Sequence, residues 1–253
     1  MISIHILRAL LLAALFIVLL TLAQPLHAAS CSNASLKGDY GILVTGTAAG
    51  NPIATMGKIT ADGNGAVTGS ETMSVNGTIF DTVSVSGSYT IGSTCAGSAI
   101  ITPQGGSPTT YSLAILTSGK VQLVGADSGT VESGFLRVQG TDVCSPALVK
   151  GTYGIEQSGD VVGQGPLAFG GQIRVRANGL LSGIRWGSDN GVISPGNAVS
   201  GVYKVDRSCY GGAVLNINNG NGIFYNLQVV DGGHTILFLE TDPGTVSSGV
   251  WER

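Results

Sequence analysis

Residues 31–41 read CSNASLKGDYG, and residues 144–154 read CSPALVKGTYG, at an offset of 113 positions. Three further segments recur in the same order, at offsets of 114, 114 and 115: Gly57-Lys-Ile59 as Gly171-Gln-Ile173, Gly87-Ser-Tyr89 as Gly201-Val-Tyr203, and Gly129-Thr-Val131 as Gly244-Thr-Val246. Such a series at one period indicates a tandem duplication whose copies differ by single residues in turns. We predict two homologous modules, residues 31–143 and residues 144–253.

Each predicted module contains two cysteines, one at its first residue and one 64 or 65 residues later. Four cysteines can pair in three ways. An ancestral module that folded alone could close only its own pair, so the duplication favours Cys31–Cys95 and Cys144–Cys209. Metal binding is the weaker interpretation, because the chain has no C-x-x-C motif and only one histidine, His234, after residue 29. We predict two disulfides and no metal site.

Within each module, apolar residues alternate with polar ones in short runs, and turns that contain glycine separate the runs. Tyr40, Ile42 and Val44 share one face of the first run, as expected for a strand with one buried side. Asn64-Gly65 is typical of a tight hairpin turn. We count about eight strands in each module, and no stretch after residue 29 has the apolar spacing of a helix.

Eight short strands joined by tight turns predict an all-β fold in which each module forms an eight-stranded antiparallel up-and-down barrel. Closure into a barrel also removes the exposed strand edges that a lysine-poor chain protects badly. Two β-sandwiches are the alternative fold, since alternation of apolar residues does not distinguish the two architectures.

The first copy carries a series of motifs: Leu-x-Gly-x-Tyr, Asp62-Gly-Asn-Gly65, Gly-x-Tyr followed by Cys-x-Gly, and Asp-x-Gly-Thr-Val-x-Ser-Gly. In this series, the chain resembles a group of exported bacterial β modules without an assigned activity. In outline, these modules are similar to calycin-like barrels such as avidin, lipocalins and allene oxide cyclase. Where lipocalins begin with Gly-x-Trp, this chain has tyrosine in place of tryptophan, in Gly38-Asp-Tyr40 and in Gly151-Thr-Tyr153. The resemblance therefore implies a barrel but assigns no functional residue.

The first 29 residues have the organisation of a secretory signal peptide, with Arg8 before the apolar run 9–22 and small residues at 28–30. We predict a signal peptide over residues 1–29 and export to the periplasm or the extracellular space. Cys31 follows directly, but Ala28 stands where a lipobox has leucine, so a lipoprotein anchored through Cys31 is a minor alternative. No later apolar run is long enough to span a membrane as a helix.

The composition disfavours several classes of function. Charged residues make up 11% of the chain and the formal net charge is −3, with the basic residues scattered, which argues against nucleic acid as a partner. The chain has no Walker loop and no dinucleotide fingerprint, and we predict no cofactor.

Catalytic motifs are also lacking. His234 follows Asp231-Gly-Gly233, which predicts a turn, and the first module has no histidine at the corresponding place for a nucleophilic triad. Asp62-Gly-Asn-Gly65 resembles part of a calcium-binding loop. The second copy has Arg176 where the first has the aspartate, so we interpret the segment as a hairpin turn. We predict a protein that acts without catalysis.

The second module contains aromatic and basic residues that the first lacks, among them Trp186, Arg174, Arg176 and Arg185. Arg174 and Arg176 share one face of a strand, which is usually the solvated outer face. If that face lay inside a barrel or at its rim, the two guanidinium groups could hold a carboxylate or a phosphate. Trp186, next to Arg185, could then provide a stacking surface. Arg174, Arg176, Arg185 and Trp186 form the candidate ligand-binding set.

The sequence thus supports two hypotheses. The first is a protein that binds a small, mostly apolar molecule inside a barrel, which requires a cavity in at least one module. The second is a structural or surface-interaction protein that uses its outer faces or the groove between the modules, which requires an exposed apolar patch. An enzyme of the cyclase-barrel kind would need buried polar groups of perturbed pKa in a pocket. The ligand, the surface partner and the oligomeric state are not defined by the sequence.

Overall fold

The computed structural model describes residues 30–140, 143–218 and 220–253. The predicted signal peptide, residues 1–29, lies outside the described residues. Within the described ranges, no helix is long and apolar enough to cross a membrane.

The first half of the described chain forms a closed antiparallel barrel, barrel 1, in which each strand pairs with the next and the eighth pairs with the first. Its strands are β1 (Lys37–Ala48), β2 (Asn51–Asp62), β3 (Ala66–Val75), β4 (Thr78–Ile91), β5 (Ala96–Pro103), β6 (Thr109–Ile115), β7 (Val121–Gly125) and β8 (Thr130–Val138).

The second half forms barrel 2 with the same topology, and β9 pairs with both β10 and β16. Its strands are β9 (Gly151–Val161), β10 (Gly165–Val175), β11 (Leu180–Asp189), β12 (Val192–Val205), β13 (Tyr210–Ile217), β14 (Gly222–Val230), β15 (Thr235–Glu240) and β16 (Thr245–Glu252). The predicted fold of two eight-stranded antiparallel barrels is therefore confirmed, and the alternative of two sandwiches is wrong because both sheets close.

Both predicted disulfides are present, Cys31–Cys95 and Cys144–Cys209. Each ties the segment before the first strand of a barrel to the turn before its fifth strand. The sulfur of Cys31 is consumed by this bond and is not free to carry a lipid, which argues against the lipoprotein alternative. Two disulfides are typical of exported proteins.

Side chains fill one end of barrel 1, which we call its closed end. This end carries the turns 63–65, 92–95 and 116–120 and is crossed by residues 31–36. Leu36 is buried there against inward-facing apolar side chains: Tyr40, Ile42, Ile59, Tyr89, Leu113 and Leu123. The free space beside Leu36, Ile59 and Tyr89 is about 10 Å³, which is no more than a single water molecule needs. The closed end is therefore a packed core.

Barrel 2 has a corresponding closed end, formed by the turns 176–179, 206–209 and 231–234 and crossed by residues 143–150. The core of barrel 2 as a whole is larger and more aromatic than that of barrel 1: Tyr153 and Trp251 lie near the closed end, and Tyr225 and Phe238 lie farther along the barrel. The rings of Tyr225 and Phe238 meet edge to face, with centroids 5.4 Å apart, an arrangement that aromatic pairs prefer.

The two barrels pack side by side in one compact unit, residues 31–253. Apolar side chains that point outward from one barrel are covered by the other: Leu43, Ala54, Met56, Val230, Leu237, Leu239 and Val246. Arg137 of barrel 1 adds ion pairs across the contact, at 2.7 Å to Asp231 and 2.6 Å to Glu252. Strands β1 and β2 are thus buried on both faces where they touch barrel 2.

Candidate functional site

The opposite end of barrel 1, which we call its open end, contains a cavity of about 170 Å³. The open end carries the turns 49–50, 76–77, 104–108 and 126–129. Most of the cavity wall is apolar and includes Ile53, Met73 and Ile101. The hydroxyl-bearing Thr55 and Thr109 also line it, together with three ionisable side chains, namely Glu71, Tyr111 and Glu132. These three residues come from β3, β6 and β8, and only closure of the barrel brings them together.

Glu71 lies at an inward-facing position of β3, opposite Gly57 of β2. Its side chain is only 5% exposed. Within the described ranges, its carboxyl group has no hydrogen-bond or ion-pair partner, and burial alone raises its pKa to about 7. A carboxylate without a partner in an apolar cavity is costly, because nothing replaces the water that it loses. Glu71 is therefore a polar group with unused binding capacity.

Glu132 is buried in the same cavity and accepts a hydrogen bond of 2.9 Å from the hydroxyl group of Tyr111. Burial raises the pKa of Glu132, although the Tyr111 bond opposes this effect. Burial and the neighbouring carboxylate also raise the pKa of Tyr111, so the phenol stays protonated and acts as a donor. The cavity thus holds one carboxyl group with a donor and one without.

The surroundings of Glu71 on the outer side of β2 and β3 are polar. Glu71 also borders a cavity of about 260 Å³ between the barrels, which Lys58, Tyr210 and Gln228 line. Lys58 forms an ion pair with Asp39 at 2.7 Å. The lysine that lines this cavity is therefore already paired with another carboxylate.

The equivalent place in barrel 2 has a different charge. Gly171 faces Arg185 in β10 and β11, as Gly57 faces Glu71 in β2 and β3. A register irregularity follows at the same position in both copies, between Arg185 and Gly187 and between Glu71 and Met73. Arg185 thus stands at the position of Glu71. Its guanidinium carbon lies 3.8 Å from the centroid of the Phe169 ring, a cation–π contact inside the barrel.

A hydrogen-bond network accompanies Arg185 in barrel 2. Gln157 donates to Glu240 and to Ser247, each at 2.8 Å, and Ser247 donates to Glu240 at 2.7 Å. Burial raises the pKa of Glu240, and the positive charge of Arg185 partly offsets this effect. Barrel 2 therefore supplies its own cation and its own donors to the buried carboxyl group.

The structure places the four candidate ligand-binding residues in different surroundings. Arg174 and Arg176 are exposed on the outer face of barrel 2, near its closed end. Arg185 points inward, and Trp186 is half exposed on the outer face. Arg174 and Arg176 thus lie near each other, but apart from Arg185 and Trp186, which point to opposite sides of β11, so the four residues do not form one site.

Trp186 forms part of a groove of about 560 Å³ on the outer face of barrel 2. Ile193 and Pro195 of β12 line the same groove. Val192 and Ile193 are 71% and 72% exposed, so an apolar patch surrounds the hairpin between β11 and β12.

The structure confirms the turns that the sequence predicts at residues 62–65 and 231–233. The carboxylate of Asp62 accepts hydrogen bonds from the backbone N–H groups of Asn64, Gly65 and Ala66, which lower its pKa and close the β2–β3 hairpin. His234 is exposed after a single 3-10 turn, Asp231–Gly233. Among the residues that the structure describes, no group of three or more His, Cys, Asp or Glu side chains could hold a metal ion.

Sequence reasoning missed Glu71, Tyr111 and Glu132. One signal was available, because Glu71 and Arg185 are related by the duplication at an offset of 114 and carry opposite charges. No protein-family model matches this chain, and a comparison with curated proteins also finds no match. The function is therefore inferred from the geometry of the chain itself.

Proposed function

We propose that this protein is an exported, non-catalytic binding protein that holds one small molecule in the open end of barrel 1. The observation that carries the proposal is a cavity of about 170 Å³ into which Glu71 presents a buried carboxyl group without a partner. Cavities of roughly 150 Å³ are large enough for benzene. The cavity is smaller than the ~300 Å³ of common drug-sized sites, so the molecule is small or extends partly into solvent.

The difference between the two barrels supports this proposal. The two copies share a fold and a common origin, yet in barrel 2 Arg185 and the network around Glu240 occupy the corresponding place. Barrel 1 keeps free space and a destabilising acid there. A group that lowers stability without a structural role is typical of functional sites. We therefore assign binding to barrel 1 and a structural role to barrel 2.

Native mass spectrometry of the exported protein tests the proposal. We expect a second species that is heavier than the disulfide-bonded chain by the mass of one small molecule, and that disappears on gentle activation. The test variant combines Thr55→Phe with Met73→Gly, because Phe169 and Gly187 occupy the equivalent positions in barrel 2 and a ring at position 55 would fill the cavity. Glu156→Gln, on the outer face, is the control. Equal occupancy in the double variant and in the wild type would exclude the open end as the site.

Surface interaction is a second candidate function, and the apolar patch around Trp186, Val192 and Ile193 favours it. Exposed patches of this kind often mark interaction sites. Self-association is the surface interaction to test first, and sedimentation velocity over a range of protein concentrations measures it. Trp186→Ala would weaken association if the patch mediates it. A wild-type protein that stays monomeric at the highest concentration would exclude self-association through this patch.

A further inference from the structure

The charges in the cavity of barrel 1 are all acidic. Glu71 and Glu132 line it, and Tyr111 donates to Glu132 only. Among the described residues, no lysine or arginine lines this cavity. A carboxylate buried in apolar surroundings either takes up a proton or pairs with a cation. The site is therefore complementary to a positive charge that the chain itself does not provide.

The duplication provides an internal comparison for this requirement. In barrel 2, the guanidinium group of Arg185 stands at the position of Glu71, stacked on Phe169 and close enough to Glu240 to affect its pKa. An organic cation with an apolar surface beside it thus fits the open end of this barrel fold. In barrel 1, the arginine is replaced by an acid and Phe169 by the smaller Thr55. Met73 stands where barrel 2 has Gly187, and a cavity of about 170 Å³ beside Thr55, Glu71 and Met73 leaves space for a ligand in barrel 1.

The walls of the cavity argue against an inorganic ion. Calcium prefers six to eight oxygen ligands with several carboxylates among them, whereas this cavity offers two carboxyl groups, one phenol and the hydroxyl groups of Thr55 and Thr109. Among the described residues, no group of three or more His, Cys, Asp or Glu side chains could hold a metal ion. A ligand with an apolar body would bury these walls as well as neutralise the charge. The volume of about 170 Å³ fits one aromatic ring or a short aliphatic chain beside an ammonium group.

We propose that the ligand of barrel 1 is a small organic cation, an ammonium or guanidinium compound with an apolar body, whose charge pairs with Glu71 and Glu132. This inference rests on the proposed function, since it names the chemical class of the molecule that the same cavity binds. Glu71 makes the direct contact because its oxygens are free, and Glu132 contributes charge while it accepts from Tyr111.

Binding of a cation should depend on pH through Glu71. The titratable groups around Glu71 are Tyr111 and Glu132 inside the barrel, and on the outer side Tyr210 and Lys58, which is paired with Asp39. Without ligand, burial places the pKa of Glu71 at about 7, so the carboxyl group is largely neutral in mildly acidic solution. Affinity for a cation should therefore be nearly constant above about pH 8 and fall by about tenfold for each pH unit below 7.

Isothermal titration calorimetry with benzylamine tests the inference, and benzyl alcohol is the matched neutral probe of the same shape. We expect the wild type to bind benzylamine at pH 8 at least about tenfold more tightly than benzyl alcohol, because the charge-assisted contact is lost with the alcohol. Glu71→Gln should weaken benzylamine binding by about tenfold or more and leave benzyl alcohol binding nearly unchanged. Glu156→Gln, on the outer face, should change neither.

The outcomes separate this inference from the proposed function. If benzyl alcohol binds as tightly as benzylamine, and Glu71→Gln affects neither, the cation inference is wrong while ligand binding in barrel 1 stands. If calcium chloride binds to the wild type but not to Glu71→Gln, and benzylamine does not bind, the proposed class of ligand is wrong. If no probe binds and native mass spectrometry of the exported protein finds no bound molecule, the proposed function fails together with the inference.

Discussion

Replacement of Glu71 by glutamine should stabilise the ligand-free protein at pH 8 and have little effect at pH 5. Glutamine has nearly the same size as glutamate but carries no charge. In the wild type, burial raises the pKa of Glu71 from 4.5 to about 7. The folded protein therefore holds this proton more tightly than the unfolded chain does. The associated stability is fully present below pH 4.5 and is lost as the pH rises towards 7.

The magnitude follows from the two pKa values. One pKa unit corresponds to about 1.4 kcal/mol, so ionisation of Glu71 lowers the free energy of unfolding by roughly 3 kcal/mol once the pH exceeds 7. The glutamine amide is itself buried without a partner, which removes part of this gain. We expect a net stabilisation of about 2 kcal/mol at pH 8, which for a chain of this size raises Tm by roughly 4 to 8 °C.

Differential scanning calorimetry of the disulfide-bonded protein at both pH values measures this effect. Glu156→Gln, an exposed acid of β9, is the control and should shift Tm by less than about 2 °C at either pH. An equal change in Tm at pH 5 and pH 8 in the Glu71 variant would refute the reasoning, and so would destabilisation at pH 8. Either result would mean that folding does not raise the pKa of Glu71.

Two further predictions concern barrel 2 and the contact between the barrels. Arg185→Met should lower the free energy of unfolding by about 2 kcal/mol at pH 8, because it removes the cation–π contact and leaves Glu240 without a neighbouring positive charge. Denaturant unfolding measures this change. An unchanged free energy of unfolding would show that Glu240 does not need the arginine. Gly41→Ala should lower the free energy of unfolding by roughly 1–3 kcal/mol, because a Cβ at residue 41 would collide with Val230 across the contact between the barrels. At the equivalent position in barrel 2 there is space for a Cβ, so Gly154→Ala should leave the stability nearly unchanged. Equal thermal stability of the two alanine variants would contradict the side-by-side packing.

Much of the fold could be predicted from the sequence because its determinants are local or repeated. Alternation of apolar residues and glycine turns define the strands, and the duplication selects one cysteine pairing among three. The lateral contact between the barrels could not be predicted in this way. Leu43 and Met56 point outward from their strands, and only the position of the other barrel explains why they are apolar and buried.

The candidate site was less accessible to sequence reasoning. The surplus of arginine and tryptophan in the second module drew attention to Arg174, Arg176, Arg185 and Trp186, but alternation alone does not show which strand face of a closed barrel is the inner one. The features that matter are two exchanges at equivalent positions, Glu71 for Arg185 and Thr55 for Phe169. The meaning of Glu71 depends on what β6 and β8 place beside it, and those strands are about 40 to 60 residues away in the chain.

Carbon-13 NMR of the Glu71 carboxyl group tests the central claim most directly, through its pKa with and without benzylamine. A bound ammonium group favours the ionised carboxylate, so we expect the pKa of Glu71 to fall from about 7 towards its ordinary value, with chemical-shift changes confined to the open end of barrel 1. A pKa that stays near 7 at saturating benzylamine, or shift changes centred on Trp186 or on barrel 2, would contradict the claim.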